Sequence, residues 1–345
     1  MDKKNFLFGA VVCILAAVLA AGCNKSKSGS GEGSAAAGSE QKLVLRIANS
    51  HNPEHVTSQA CQRFADTVKE KTNGRIEIQT FFAGQLGDER STIQQCQLGG
   101  LDFTRVSSGA SAEFAPLMNA LQMPYEYENV DHLFKALDGE IGKEVFETFK
   151  QNNLVGIEYI HPGSRNFFNN KREIHSPADI KGLRIRVSES QVMISLMEAL
   201  GGVPVPLPFN DTYSAIQTSV CDGAENNMTS YIEMSFDEVA QYWTYDNHSF
   251  MPDMILASKT LWDKLSPADQ QIILDAAQEA SIWHRNEWEA SEEKNAQIAL
   301  QRGRILTRLT PDELAQFQAA VAPVYSTLLN SEQQEIVRRV QALAQ

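Results

Sequence analysis

The chain has 345 residues, 43% of them hydrophobic, which is enough for two domains with a proper core. Its 30 lysines and arginines stand against 43 aspartates and glutamates, a formal charge of −13. No basic stripe stands out to neutralise phosphates, which argues against nucleic-acid binding.

At the N-terminus Lys3 and Lys4 precede an apolar run from Phe6 to Ala21, the charged and hydrophobic regions of a secretory signal. The run is too short for a comfortable membrane span. It ends in Leu19-Ala20-Ala21-Gly22-Cys23, which resembles a bacterial lipobox, where the cysteine is lipidated and becomes the mature N-terminus. Ala20 stands where leucine is usual, with Leu19 one place earlier; a plain signal peptide or a transmembrane anchor is the alternative. Asn24 to Ser39 is Gly/Ser/Ala/Lys-rich without apolar periodicity and reads as a flexible tether. Residues 1–22 are thus expected to be a signal peptide and 23–42 a tether holding a soluble protein near a membrane face. An exported location permits a disulfide, with Cys61 and Cys96 as the pair, whereas isolated thiols without a CxxC motif are more often buried small hydrophobes.

Leu43 to Ala48 reads as a buried strand, followed by a turn at Asn49-Ser50-His51-Asn52-Pro53. Helical spacing of Val56, Ala60, Phe64 and Val68 predicts a helix from Glu54 to about Thr72, stopped by Asn73-Gly74. Arg75–Phe82 is a strand, Asp88 opens a helix to about Leu98, and Leu101–Val106 is a third strand. This β-α-β-α-β order predicts a parallel sheet with ligand beyond the carboxyl ends of its strands. A helical stretch over Asp131–Asn152 and a strand over Leu154–Ile160 follow, and Pro162-Gly163 marks a break. From Arg165 a new segment runs through a helical turn at Ser176-Pro177-Ala178-Asp179, a strand at 181–187 and a helix at Gln191–Leu200. An extended edge piece at Val203–Pro208, a short helix at Asn210–Thr218 and a polar strand end at Val220–Asn227 complete it. Residues 164–250 therefore look like a second α/β domain inserted into the first. Ser266-Pro267-Ala268-Asp269 caps a helix that continues to about Gln301, roughly 52 Å long and suited to spanning both domains. Thr310 and Ser331 start two more helices.

In Lys181-Gly182-Leu183-Arg184-Ile185-Arg186-Val187, apolar Leu183, Ile185 and Val187 alternate with Arg184 and Arg186. The two guanidiniums share one face, which either lies in solvent on an edge strand or looks into a cleft to hold an anion. The strand by itself leaves both readings open.

Several segments together resemble the substrate-binding proteins of TRAP (tripartite ATP-independent periplasmic) transporters, the C4-dicarboxylate-binding family. They are Gly163-Ser164-Arg165, Ser176 through Val187, Pro204 through Pro208, Tyr213-Ser214-Ala215-Ile216-Gln217, and Asp222-Gly223-Ala224-Glu225-Asn226. The resemblance implies a bilobal α/β periplasmic-binding-protein-like fold with a hinge. The domains are expected at 43–163 plus 251–290 and at 164–250 plus 291–345, with ligand between them and TRAP permease subunits as partner. It implies that Arg186 clamps the ligand carboxylate, that Arg165 and Asn226 stand beside it, and that Arg184 is structural. Gln85 through Glu89, Asp102 through Ser107, and Ala224 through Asn227 with Ser230-Tyr231 resemble the branch that binds hexuronates, of the D-glucuronate or D-galacturonate type. Glu89, His51, Asn227, Arg105 and His248 are the candidates for the polyol end. A hydrogen-bonded core histidine and a hinge salt bridge are the alternatives for His248 and Arg105. A C4-dicarboxylate or other organic acid is the alternative ligand. No cofactor or metal is implied.

Two rival chemistries were weighed. His51-Asn52-Pro53-Glu54-His55 fits an inverted zinc-peptidase pattern on paper, but Pro53 denies it the helix interior such a site needs. A glycuronide-cleaving enzyme would need two opposed cleft carboxylates, with Glu89 and Glu225 as the pair.

Overall fold

The computed structural model describes residues 42–344. The lipidation candidate Cys23, the signal at 1–22 and nearly all of the tether lie outside the described residues.

Two mixed sheets organise the chain. The first contains β1 (Leu43–Ala48), β2 (Ile76–Phe81), β3 (Phe103–Ser107), β4 (Leu154–Ile160) and β10 (Asp253–Ser258) in the order β2-β1-β3-β10-β4. The second contains β5 (Ser164–Asn169), β6 (Arg184–Val187), β7 (Val203–Pro206), β8 (Gly223–Asn226), β9 (Tyr242–Phe250) and β11 (Ile305–Arg308), ordered β11-β9-β5-β8-β6-β7. The chain passes from the first sheet to the second through 161–163, returns through 251–252, and leaves again along the helix Pro267–Gln301. Each sheet with its helices is one lobe.

The expected parallel sheet is present in β2-β1-β3, but β10 enters antiparallel between β3 and β4. Periodicity does not single out β10 because both of its faces are covered and all six residues are buried. Met254 and Leu256 pack on one side, with Ile93 and Cys96, while Ile255 and Ala257 pack on the other, with Phe64 and Cys61. Strand β9 escapes for a different reason. Its buried Thr244, Asp246, His248 and Ser249 make it look like a polar loop. The helical stretch at 131–152 is split into Val130–Leu137 and Glu140–Thr148 at Gly139, where a Cβ would stand 2.7 Å from the Lys135 carbonyl oxygen.

The helix Val56–Lys71 buries Val56, Ala60, Cys61, Phe64 and Val68, one stripe at helical spacing, against the first sheet. The 35-residue helix joins it there through Ile273, Ala276, Ala277 and Ala280, small side chains that allow close approach, and Ser281 donates to the Tyr159 carbonyl at 2.6 Å. Nearer its C-terminal end the same helix packs Ala299 in the second lobe with Phe168, Trp243 and Tyr231. One rigid helix is therefore common to both cores. Cys61, Cys96 and Cys221 are free, buried thiols; Cys61 and Cys96 serve separate hydrophobic clusters as small apolar side chains.

Gly223 begins β8, and a Cβ there would stand 2.1 Å from the Phe168 carbonyl oxygen of the paired β5. Gly223→Ala is expected to destabilise the protein by about 2 kcal/mol or more, because backbone and not a flexible side chain must give way. Thermal or urea denaturation checks this; an unchanged midpoint would contradict it.

Candidate functional site

The two arginines of β6 share a face but have different surroundings, and position along the strand decides the difference. Arg184 enters the sheet beside Asp222, which it grips through Nε–Oδ2 at 3.1 Å and Nη2–Oδ1 at 2.8 Å, and it donates to the Ser219 carbonyl at 2.9 Å. That grip holds the Asp222 carboxyl down at about 2. Arg186, one pleat later at the carboxyl end, is only 2% exposed. Its Nε and Nη2 donate to the Leu207 carbonyl at 2.9 and 2.6 Å, and among the described residues no carboxylate lies within ion-pair distance of it. Burial pulls its pKa down to about 10, so it is still a cation at neutral pH.

Arg165, near the start of β5, is held differently. It donates through Nε to Glu225 Oε2, through Nη2 to the Glu225 carbonyl at 2.8 Å, and through Nη1 to Asn226 Oδ1 at 3.5 Å. Burial alone would raise Glu225, but the charges of Arg165 and His248 hold it down at about 2. His248 Nε2 lies 3.5 Å from Glu225 Oε2, while Nδ1 lies 3.2 and 3.0 Å from the Asp246 oxygens. Burial would lower this imidazole; Asp246 and Glu225 raise it to about 9. Asp246, His248, Glu225 and Arg165 thus form a buried alternating line of charge behind the β5–β8 wall. Asn227 caps the helix Met228–Glu233, accepting from Ser230 N at 2.7 Å, and its amide donates to the Pro162 carbonyl at 2.9 Å.

The facing wall comes from the first lobe. Glu89 opens the helix Glu89–Gln97, which Asp88 caps by accepting from Ser91 N at 2.7 Å. Its Oε2 accepts from Ser107 N at 3.1 Å and Ser107 Oγ at 2.6 Å, and its Oε1 accepts from Arg105 Nη1 at 3.0 Å. Arg105 also pairs through Nη2 with Asp253, and its Nη1 stands 3.1 Å from His51 Nδ1. Burial first, then His55 and Arg105, hold His51 well below its ordinary value, so the ring is neutral.

These walls enclose one cleft of about 550 Å³, counting its open mouth. His51, Glu89, Arg105, Arg165, Arg186, Asn226 and Asn227 line it, and Phe209 and Pro162 supply apolar surface. His248 does not line it. It is fully buried, stacks on Phe167 with centroids 4.4 Å apart, and reaches the cleft only through Glu225 and Arg165. Its candidacy as a direct ligand contact is corrected to that of a charged support, because Glu225 stands between. Glu225 itself is fully buried and engaged by Arg165, so it is not a free cleft carboxylate opposite Glu89. Sequence reading missed Ser107 and Asp253. Ser107 could have been found from the rule that strand carboxyl ends face the ligand; Asp253 lies in the strand without alternation and left no signal. His55 caps the start of the helix Val56–Lys71 and His51 lies in the preceding turn, so they share no helix face; among the described residues no group of three or more His, Cys, Asp or Glu could hold a metal ion.

Folding raises His248 from 6.5 to about 9, so its contribution to stability is complete below pH 6.5 and is lost as the pH rises through 9. His248→Gln is expected to lower the melting temperature most near pH 6, with the gap to the parent narrowing toward pH 9. A gap that widens with pH would refute the charged imidazole.

Comparison with known proteins now bears on this cleft. Residues 47–332 match the family model DctP, bacterial extracellular solute-binding protein, family 7. A solute-binding protein of Chromohalobacter salexigens is 31% identical over 277 residues, 80% of this chain and 82% of that relative. The crystal structure of a TRAP periplasmic solute-binding protein from Xanthobacter autotrophicus Py2 with bound β-D-galacturonate is similar with a TM-score of 0.83 and 31% identity. It covers 86% of this chain and 99% of that one. One from Roseobacter denitrificans with bound β-D-glucuronate has a TM-score of 0.83 and 30% identity, over 87% and 99%.

Proposed function

The chain belongs to the bacterial extracellular solute-binding proteins of family 7, the receptors of TRAP transporters, and on that premise we propose that its ligand is a hexuronate of the D-galacturonate or D-glucuronate type. It is a receptor and not an enzyme. The observation that carries the ligand reading is Arg186, a cation held out of water with no carboxylate at ion-pair distance among the described residues. A buried charge without a partner costs several kcal/mol, and a ligand carboxylate supplies both the opposite charge and the forked acceptor that a guanidinium fits.

In this reading Arg186 clamps the carboxylate from the second lobe, with Arg165, Asn226 and Asn227 around it. The hydroxyls face Glu89, Ser107, Arg105 and His51 from the first lobe. Since the two ends of one ligand touch different lobes, binding shifts the population toward the closed form. The lobes would be residues 43–163 with 251–290 and 164–250 with 291–345, hinged where the strands cross. Lipid on Cys23 and the tether to residue 42 would keep the receptor beside its membrane permease. The relatives at 30% identity or more that hold galacturonate and glucuronate support the choice of hexuronate over a C4-dicarboxylate.

D-galacturonate or D-glucuronate is expected to raise the melting temperature, and Arg186→Met to weaken binding on the order of 100-fold or more. Without ligand the same variant should melt no lower than the parent, since it removes an unpaired buried charge. Succinate or malate stabilising the protein where neither uronate does would overturn the hexuronate assignment.

A further inference from the structure

The two walls of the cleft differ in charge, and this has a consequence for ligands with a second acidic group. On the second-lobe wall Arg165 is balanced by Glu225 and His248 by Asp246, Arg186 has no ion pair among the described residues, and exposed Glu189 is the remaining carboxylate of the lining on that side. On the first-lobe wall one guanidinium, Arg105, stands between two carboxylates, Glu89 and Asp253, and His51 is neutral. That wall is therefore a net single negative charge. Arg105 is engaged at its fork, Nη1 by Glu89 and His51 and Nη2 by Asp253, while Nε is buried and has no hydrogen-bond partner among the described residues. An incoming anion there would meet two carboxylates already gathered around the one guanidinium.

We infer that Glu89 and Asp253, gathered around Arg105, act as a charge filter that rejects a second carboxylate on the ligand, so the receptor takes polyhydroxy monocarboxylates and excludes dicarboxylates of the same length. The inference rests on the proposed carboxylate clamp at Arg186 and adds to it the rule for the opposite end. Hydroxyls suit the first-lobe wall because they donate to carboxylate oxygens, whereas a carboxylate only accepts and meets like charge. Glu89 and Asp253 are largely withdrawn from solvent, so their repulsion is weakly screened and the discrimination survives physiological salt. Glu189, the other acidic residue of the lining, is exposed and stands two residues after the β6 strand on the second-lobe side, so it is no part of the filter.

The test uses three probes in isothermal titration calorimetry on the full soluble chain: D-galacturonate, D-galactonate and galactarate. Galactonate and galactarate are both open-chain acids and differ in a terminal hydroxymethyl against a carboxylate, which separates charge from ring shape. Galactarate is expected to bind on the order of 100-fold more weakly than the tighter of the two monoanions. In Asp253→Asn and in Glu89→Gln, each checked for folding by circular dichroism, the ratio of galactarate to monoanion dissociation constants should fall about tenfold. Galactarate binding within tenfold of the monoanions in the parent would overturn the filter while leaving the uronate reading intact. So would a ratio unchanged in whichever of the two variants folds. Failure of both monoanions, with or without galactarate binding, would instead bring down the uronate reading and the filter with it.

Discussion

A guanidinium held out of water without an anion beside it is the constraint on which the rest of this site depends. Every other buried cation around the cleft has a carboxylate: Arg105 has Glu89 and Asp253, Arg165 has Glu225, and His248 has Asp246. Among the described residues Arg186 hydrogen-bonds to the Leu207 carbonyl, a dipole, and has no carboxylate at ion-pair distance. Such an imbalance costs stability in the empty protein and returns it when a carboxylate arrives, which ties affinity to the enclosure of the ligand.

The balanced charges matter as much as the unbalanced one. Without Glu225, Arg165 would be a second unpaired buried cation beside Arg186. The line from Asp246 through His248 to Glu225 keeps Arg165 oriented and neutralised, so among the described residues Arg186 is the guanidinium of that wall without an ion pair. On the opposite wall, two carboxylates around one guanidinium do the converse. The first-lobe wall is left with one carboxylate in excess, and that excess polarises the cleft.

The same division appears in the scaffold. The 35-residue helix places its alanines against the first sheet and Ala299 in the second core, while Asn295 donates to Glu233 at 3.1 Å and Glu292 accepts from Thr229 N at 2.8 Å. It ties the lobes together. Asn227 links the cleft wall to the crossing segment through the Pro162 carbonyl.

Much of this was legible in the sequence because local physics determined it. The alternation of Leu183, Ile185 and Val187, the stripe of Val56, Ala60, Phe64 and Val68, and the Ser266-Pro267 cap are short-range patterns, and each produced the element it predicts. The motif resemblance singled out Arg186, Arg165, Asn226 and Glu89, of which Arg186 and Asn226 lie at the carboxyl ends of their strands while Arg165 stands near the start of β5 and Glu89 opens a helix. The tertiary structure decided what no local pattern contains. It gave the physical ground for separating Arg184 from Arg186, which the resemblance implied but the strand's own alternation did not, since both point to one face and the neighbours Asp222 and Leu207 distinguish them. It withdrew His248 behind Glu225, and it brought Asp253 to Arg105 across 148 positions on a strand buried on both faces. Charge pairing in a cleft is a property of residues far apart in the chain, and a sequence read locally records the charges but not which of them remain unpaired.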